Sequence, residues 1–412
     1  MAISTTGSGP GKRSGKRFGL ALAGGGPLGG VYEIGVLAAL DEALEGIELN
    51  EMEVYVGVSA GALIAGNLAN GFTTDQLARI LISAESDEHP IGRWVFLTPA
   101  WREYIARLAS LPQAVGATIR DLVRNPLDVG VFGALNNLTR MIPTGIFDNS
   151  PIERFLASLY RTRGHTNDFR KLKHKLFVVA ADLDTGESVS FGAPGHDHIP
   201  ISKAIQASTA LPGLYPPVQI EGRCFVDGAL KRTLHASVAL KEGVDLLLCI
   251  NPVVPYDANL AEDDRRKKHH KLTEGGLPVV LSQTFRAIIH SRMNVGIKAY
   301  NTRYGDRDIV LFEPDREDSR MFFANLFSYK NRRRVCEHGY QTTRRDLLSQ
   351  FDELEPLFAR HDIRLRKDVL QDTERHFDTN PKISAAVRQR GRYKNDVTNQ
   401  LSETLDRLRK IV

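Results

Sequence analysis

From Phe18 onward, short apolar runs alternate with longer stretches whose apolar residues recur at helical spacing. "RFGLAL" reads as a strand, and Val31, Ile34, Val36, Leu37 and Leu40 behind it fall on a helix, with a glycine loop between the two. The pattern then repeats, "EVYVGVS" as strand and "AGALIAGNLANG" as helix, closed by Gly71. Further apolar strands are expected at 175–183, 188–192, 223–227, 245–252 and 308–314, with helical segments between most of them, notably 278–303. This alternation predicts an α/β fold of three α/β/α layers around a mostly parallel central sheet.

Three regions depart from that rhythm. Residues 1–16 are Gly, Ser, Thr and basic residues and predict a flexible arm, leaving 17–345 as the main domain. Residues 91–147 form a helical insertion in which Trp101, Ile105 and Leu108 share one stripe, and both tryptophans of the chain, Trp94 and Trp101, lie inside it. A lid that touches membrane and a cap helix that buries its stripe on the domain both fit this pattern. The insertion ends at "DNSPIERFL", where Ser150 as N-cap, Pro151 in the first turn and Glu153 predict a capping box. Residues 346–412 form a charged helical extension, expected to be loosely attached from about 360, and "RMFFANLFSYKNRRRV" sets an apolar patch beside a basic cluster.

The net charge of +5 is concentrated at the ends. Lys12, Arg13, Lys16 and Arg17 open the chain without an acid, and 360–412 carries 13 basic and 8 acidic residues. Cationic ends suit an anionic surface, although the interleaved acids of the tail favour a solvated helix face. Cys224, Cys249 and Cys336 are far apart and lack metal-ligand spacing, so neither a disulfide framework nor a zinc site is expected and a reducing compartment suits them. The apolar stretch in "FGLALAGGG" is too short for a signal peptide, which makes the cytoplasm the expected location. Residues 54–74 carry no charge, but their apolar part ends near Gly66, too soon to span a bilayer.

The candidate chemistry lies at the ends of the strands. Gly57-Val58-Ser59-Ala60-Gly61 is a GxSxG sequence between an apolar strand and an apolar helix, the setting of a nucleophile elbow. Gly57 and Gly61 flank a turn too sharp for a Cβ, which leaves the Ser59 hydroxyl at the strand end, before a helix N-terminus. Gly24, Gly25 and Gly26 follow the first strand, where consecutive amides can turn toward one point, and loops after neighbouring parallel strands meet at one sheet edge. Gly24, Gly26 and Gly29 also match a dinucleotide fingerprint, but the next strand ends in Ser59 without the required acid, and Pro27 has no place in a pyrophosphate loop. A serine needs a base, and His235, His269, His270, His290 and His338 all follow it without a compelling local context. Asp227-Gly228-Ala229, by contrast, puts a carboxylate at a strand end.

A GGGxxG loop, a GxSxG elbow and a downstream Asp-Gly-Ala, in that order, resemble the patatin-like phospholipase family. "QASTALPGLYPPV", Gln206 to Val218, is similar to a further segment of it. The resemblance implies a lipid acyl hydrolase, a phospholipase A or lysophospholipase, with Ser59 as nucleophile and Asp227 as direct general base. It also implies an oxyanion hole in the loop of Gly24, Gly25, Gly26 and Gly29, and no cofactor or metal. The implied partner is a lipid or phospholipid met by peripheral membrane contact, and no nucleic acid. The family loop carries a basic residue where this chain has Leu28, which shifts the expected substrate toward a neutral glyceride or a lysolipid.

Overall fold

The computed structural model describes residues 3–6, 16–83, 94–110, 116, 143–232, 234–257, 276–316 and 329–380. Its centre is a sheet ordered β1-β10-β9-β2-β4-β5-β8-β7, with β6 paired to β5. The strands are β1 (Ile3–Thr6), β2 (Phe18–Leu22), β4 (Val54–Val58), β5 (Lys175–Asp182), β6 (Ser188–Phe191), β7 (Val218–Ile220), β8 (Arg223–Asp227), β9 (Leu246–Ile250) and β10 (Asp308–Phe312). The two-residue strands β3 (Leu44–Glu45) and β11 (Arg364–Leu365) pair apart from it. The five middle strands β10, β9, β2, β4 and β5 run parallel, while β1, β6, β7 and β8 join antiparallel.

Strands covered on both faces favour apolar residues throughout, which is why β4, β9 and, after the ion-paired Asp308, β10 read as continuous runs. Side-chain alternation still sorts them into two cores. Leu20, Leu22, Tyr55, Val178 and Ile250 pack in one, and Ala21, Val54, Val56, Val58 and Val179 in the other. The first core takes helices α1 (Gly26–Ala43), α2 (Ala60–Ala69) and α6 (Tyr329–Ser349); the second takes the short helix Ala236–Lys241. Three α/β/α layers result. The α1 and α6 helices cross closely enough that a Cβ on Gly35 would stand 2.1 Å from the Cys336 carbonyl oxygen, and one on Gly339 2.7 Å from that of Tyr32. Glycine at the crossing lets α1 sit between sheet and helix, so it is buried on nearly every side.

Several expectations are corrected. The arm does not span all of 1–16, because Ile3–Thr6 adds an edge strand to β10 and buries Ile3; its lone apolar residue among Ser and Thr hid it. The region from 360 is not loosely attached up to Asn380, since Ile363, Leu365, Val369 and Phe377 are buried and β11 pairs with β3. Ser150 is not the N-cap of the helix α4 (Ser150–Leu159). Asn149 holds that position, Asp148 accepts from the Ser150 amide, and Glu153 accepts from the Ser202 hydroxyl instead of closing a capping box. The apolar patch at 321–327, most of the insertion and the basic tail beyond 380 lie outside the described residues. Among the described residues, no helix is long and apolar enough to cross a membrane.

Candidate active site

Strand register brings the predicted residues together. Val58 is level with Val179 on β5, and Ala180, one place further, is level with Asp227 on antiparallel β8. Ser59, the residue after Val58, therefore stands beside Asp227 although 168 positions separate them in the chain. The Ser59 side chain lies near enough to the Asp227 carboxylate to act on its pKa.

Ser59 has φ 53° and ψ −123°, a backbone conformation that an L-residue adopts only when its surroundings impose it. Those surroundings are backbone on backbone. A Cβ on Gly57 would lie 2.4 Å from the Ala62 Cα, and one on Gly61 2.5 Å from the Leu22 carbonyl oxygen. The turn therefore holds α2 against β2 and β4, and the N-terminus of α2 opens directly behind the serine. The Ser59 amide donates to Ser208 Oγ at 2.8 Å, and that hydroxyl donates to the Val179 carbonyl at 2.6 Å. Ser208 ends helix α5 (Ile201–Ser208), and just beyond it the Ala210 carbonyl accepts from the Asp227 amide at 3.0 Å. One helix end thus anchors the backbones of both Ser59 and Asp227. Ser208, fully buried and bonded across the fold, is a site residue that no local pattern in the sequence announces.

Asp227 is buried at the end of β8, and its Oδ1 accepts from the Ala229 amide at 2.9 Å. Burial raises its pKa to about 6, against the lowering pull of the hydrogen bonds from Ser59 and Ala229. His235 reaches the Gly228 backbone, and burial lowers its pKa to about 4. Its Nε2 is buried without a hydrogen-bond partner, so the geometry does not couple it to Ser59.

The glycine loop closes the third side. A Cβ on Gly24 would stand 2.9 Å from the Ala229 Cβ and 3.0 Å from the Ser59 Cβ. Gly25 caps α1, and a side chain there would meet Pro252 Cγ at 2.6 Å. Gly26 begins the helix at φ +62°, with open space where its Cβ would be. Gly29 differs from the expected role: its amide donates to the Gly25 carbonyl at 3.0 Å, so it is spent within the helix, and Gly29 serves close packing against Pro252. Pro27 is accounted for by the first turn of α1, where its missing N–H costs nothing. Leu28 is packed in the core and presents no charge to the site. Among the described residues, no cluster of three His, Cys, Asp or Glu is placed to hold a metal ion.

The sequence profile of the patatin-like phospholipase family matches residues 20–240, the span that holds the glycine loop, Ser59 and Asp227. The chain belongs to that family. Among patatin-like relatives, an NTE family protein of Mycobacterium tuberculosis is 25% identical over 238 residues, which are 58% of this chain and 30% of that protein. The chain thus matches less than a third of the mycobacterial protein's length. An uncharacterised protein of Acanthamoeba polyphaga mimivirus is 22% identical over 80% of this chain and 93% of its own length. Among solved structures, VipD from Legionella pneumophila aligns with 93% of this chain and 86% of its own, at 13% identity and a TM-score of 0.32.

Proposed function

We propose that the chain is a lipid acyl hydrolase of phospholipase A or lysophospholipase type, working through a Ser59–Asp227 dyad. The Asp227 carboxylate removes the Ser59 hydroxyl proton as Oγ attacks the ester carbonyl, and the same proton then passes to the leaving alcohol. Water attacks the acyl-enzyme, gives its proton to Asp227, and releases the fatty acid and the free serine. Negative charge on the carbonyl oxygen is met by the amides of Gly24, Gly25 and Gly26, the loop that leads into the α1 N-terminus. No cofactor or metal enters these steps.

The observation that carries this reading is the strand register that sets Ser59 beside a buried carboxylate, whose pKa burial raises to about 6. Such a group is ionised at neutral pH, yet more basic than an exposed aspartate. Buried Leu28 leaves no cation there for a charged head group, which adds weight to a lysolipid, or to a neutral glyceride as the alternative substrate. The protein works in the cytoplasm, meeting its substrate at a membrane surface. A panel of phospholipids, lysolipids and glycerides, with products identified by mass spectrometry, tests the reading. Fatty acid release by wild type and none by Ser59→Ala is expected. Equal release by both would refute it, and fluorophosphonate labelling of Ser59 separates a hydrolase from a binding protein on the same scaffold.

A further inference from the structure

Among the described residues, the exposed large apolar side chains sit on segments that leave one edge of the sheet, the edge that carries Ser59. Leu183 follows the end of β5, Leu211 follows Ala210 on the anchor of Asp227, and Ile146 bonds by its amide to the Leu214 carbonyl. The rest lie on two helices that flank this edge, α3 (101–110) and the 28-residue helix Gly276–Arg303.

Both helices show large apolar side chains to solvent. On α3, Trp101, Ile105 and Leu108 are 63%, 64% and 64% exposed. The polar residues face the protein instead: Tyr104 Oη donates to the Ile146 carbonyl at 2.5 Å, and Glu103 accepts from the Thr144 amide and hydroxyl. On helix 276–303, Leu281, Phe285, Ile288 and Val295 stand exposed at helical spacing. Its inner face is held by Gln283 on the Tyr256 backbone and Arg286 on the Val254 carbonyl. A helix in water places its polar residues outward. On these two, large apolar residues hold much of the outer face, which on helix 276–303 they share with Ser282, Thr284, Ser291 and Arg292, a mixture that fits the boundary between water and lipid. The helix also exposes Arg292 and Arg303 and contains no Asp or Glu, a charge balance suited to an anionic surface.

We propose that α3 and helix 276–303 form a docking face for a bilayer that carries anionic phospholipid, which seats the Ser59 edge on the lipid. This rests on the proposed action on lipid, but only in its choice of partner. Several separate segments around one edge, and not a single groove, fit a planar surface. The tie to the site is direct, since Arg292 donates to the Leu230 carbonyl, three residues past Asp227.

The test is flotation of the full chain with vesicles of phosphatidylcholine alone or with about 30 mol% phosphatidylglycerol. Turnover of a soluble short-chain ester is measured in parallel. The variants are Phe285→Ser with Ile288→Ser, and Trp101→Ser with Ile105→Ser, all at exposed positions. Wild type should float with the anionic vesicles, and each double variant about tenfold less or lower, with ester turnover unchanged. Variants that float like wild type, wild type that floats with neither vesicle, or a wild-type dimer that the substitutions dissociate would overturn the proposal. Equal flotation with both vesicles would overturn the anionic preference. Ser59→Ala should float like wild type. Flotation without any esterase activity would therefore refute the hydrolase reading while sustaining the docking face.

Discussion

Replacing Asp227 by Asn should make the protein inactive and more stable at neutral pH. The carboxyl is fully buried, and its pKa is near 6 in the fold against an ordinary 3.8. Between those values the unfolded chain has lost the proton and the folded chain retains it, so stability falls as pH rises through this window. Above pH 6 the folded state carries the full cost of a buried charge, about 3 kcal/mol at 1.36 kcal/mol per pH unit. Asparagine has the same shape, accepts from the Ala229 amide through Oδ1 and offers Nδ2 to the Ser59 hydroxyl, so packing and hydrogen bonds survive while the charge goes. Urea unfolding of wild type and Asp227→Asn at several pH values from 4 to 8 measures the difference. A variant advantage of about 2–3 kcal/mol at pH 7.5 that shrinks toward pH 4 is expected. A variant that is equally stable or weaker at pH 7.5, or an advantage that does not change with pH, would refute the electrostatic account of this residue.

The same carboxyl sets the pH dependence of turnover: kcat/KM on a soluble ester should rise with pH around a midpoint near 6, and a midpoint at 4 would show a normal, hydrated carboxylate. Ser208→Ala removes the acceptor of the Ser59 amide and the donor to Val179, leaving two buried backbone groups unsatisfied. A loss of about 2 kcal/mol or more in thermal unfolding, with a fall in kcat, is expected. Gly24→Ala pushes a methyl group to 3.0 Å from the Ser59 Cβ, so ester turnover should drop about tenfold or more while the melting temperature moves little.

The parallel strands were legible because burial on both faces leaves an unmistakable apolar run, as in "DLLLCINP". The direction of β8 was not. Its five residues read the same in either orientation, yet only the antiparallel pairing of Ala180 with Asp227 brings the carboxylate to Ser59. Ser59, Gly57 and Gly61 were readable from local sterics, since the constraint lies within one turn. Ser208 and Pro252 act across the fold, on Ser59 and on Gly25, and no spacing in the chain announces such contacts. Gly29 was misread for the complementary reason: a glycine motif reports where a side chain is excluded, not which amides remain free. The stripe of Trp101, Ile105 and Leu108 was visible as a pattern, but which way it faced depended on Glu103 and Tyr104 finding partners at Thr144 and Ile146.

The central claim is that Ser59 is a nucleophile activated by Asp227 alone. Intact-mass analysis after incubation with a fluorophosphonate tests it most directly, on wild type, Ser59→Ala, Asp227→Asn and His235→Ala. The dyad predicts one phosphonyl group on Ser59 in wild type and in His235→Ala at similar rates, none in Ser59→Ala, and labelling slowed at least a hundredfold in Asp227→Asn, on the scale of a lost general base. Full-rate labelling of Asp227→Asn, or labelling lost in His235→Ala, would contradict it.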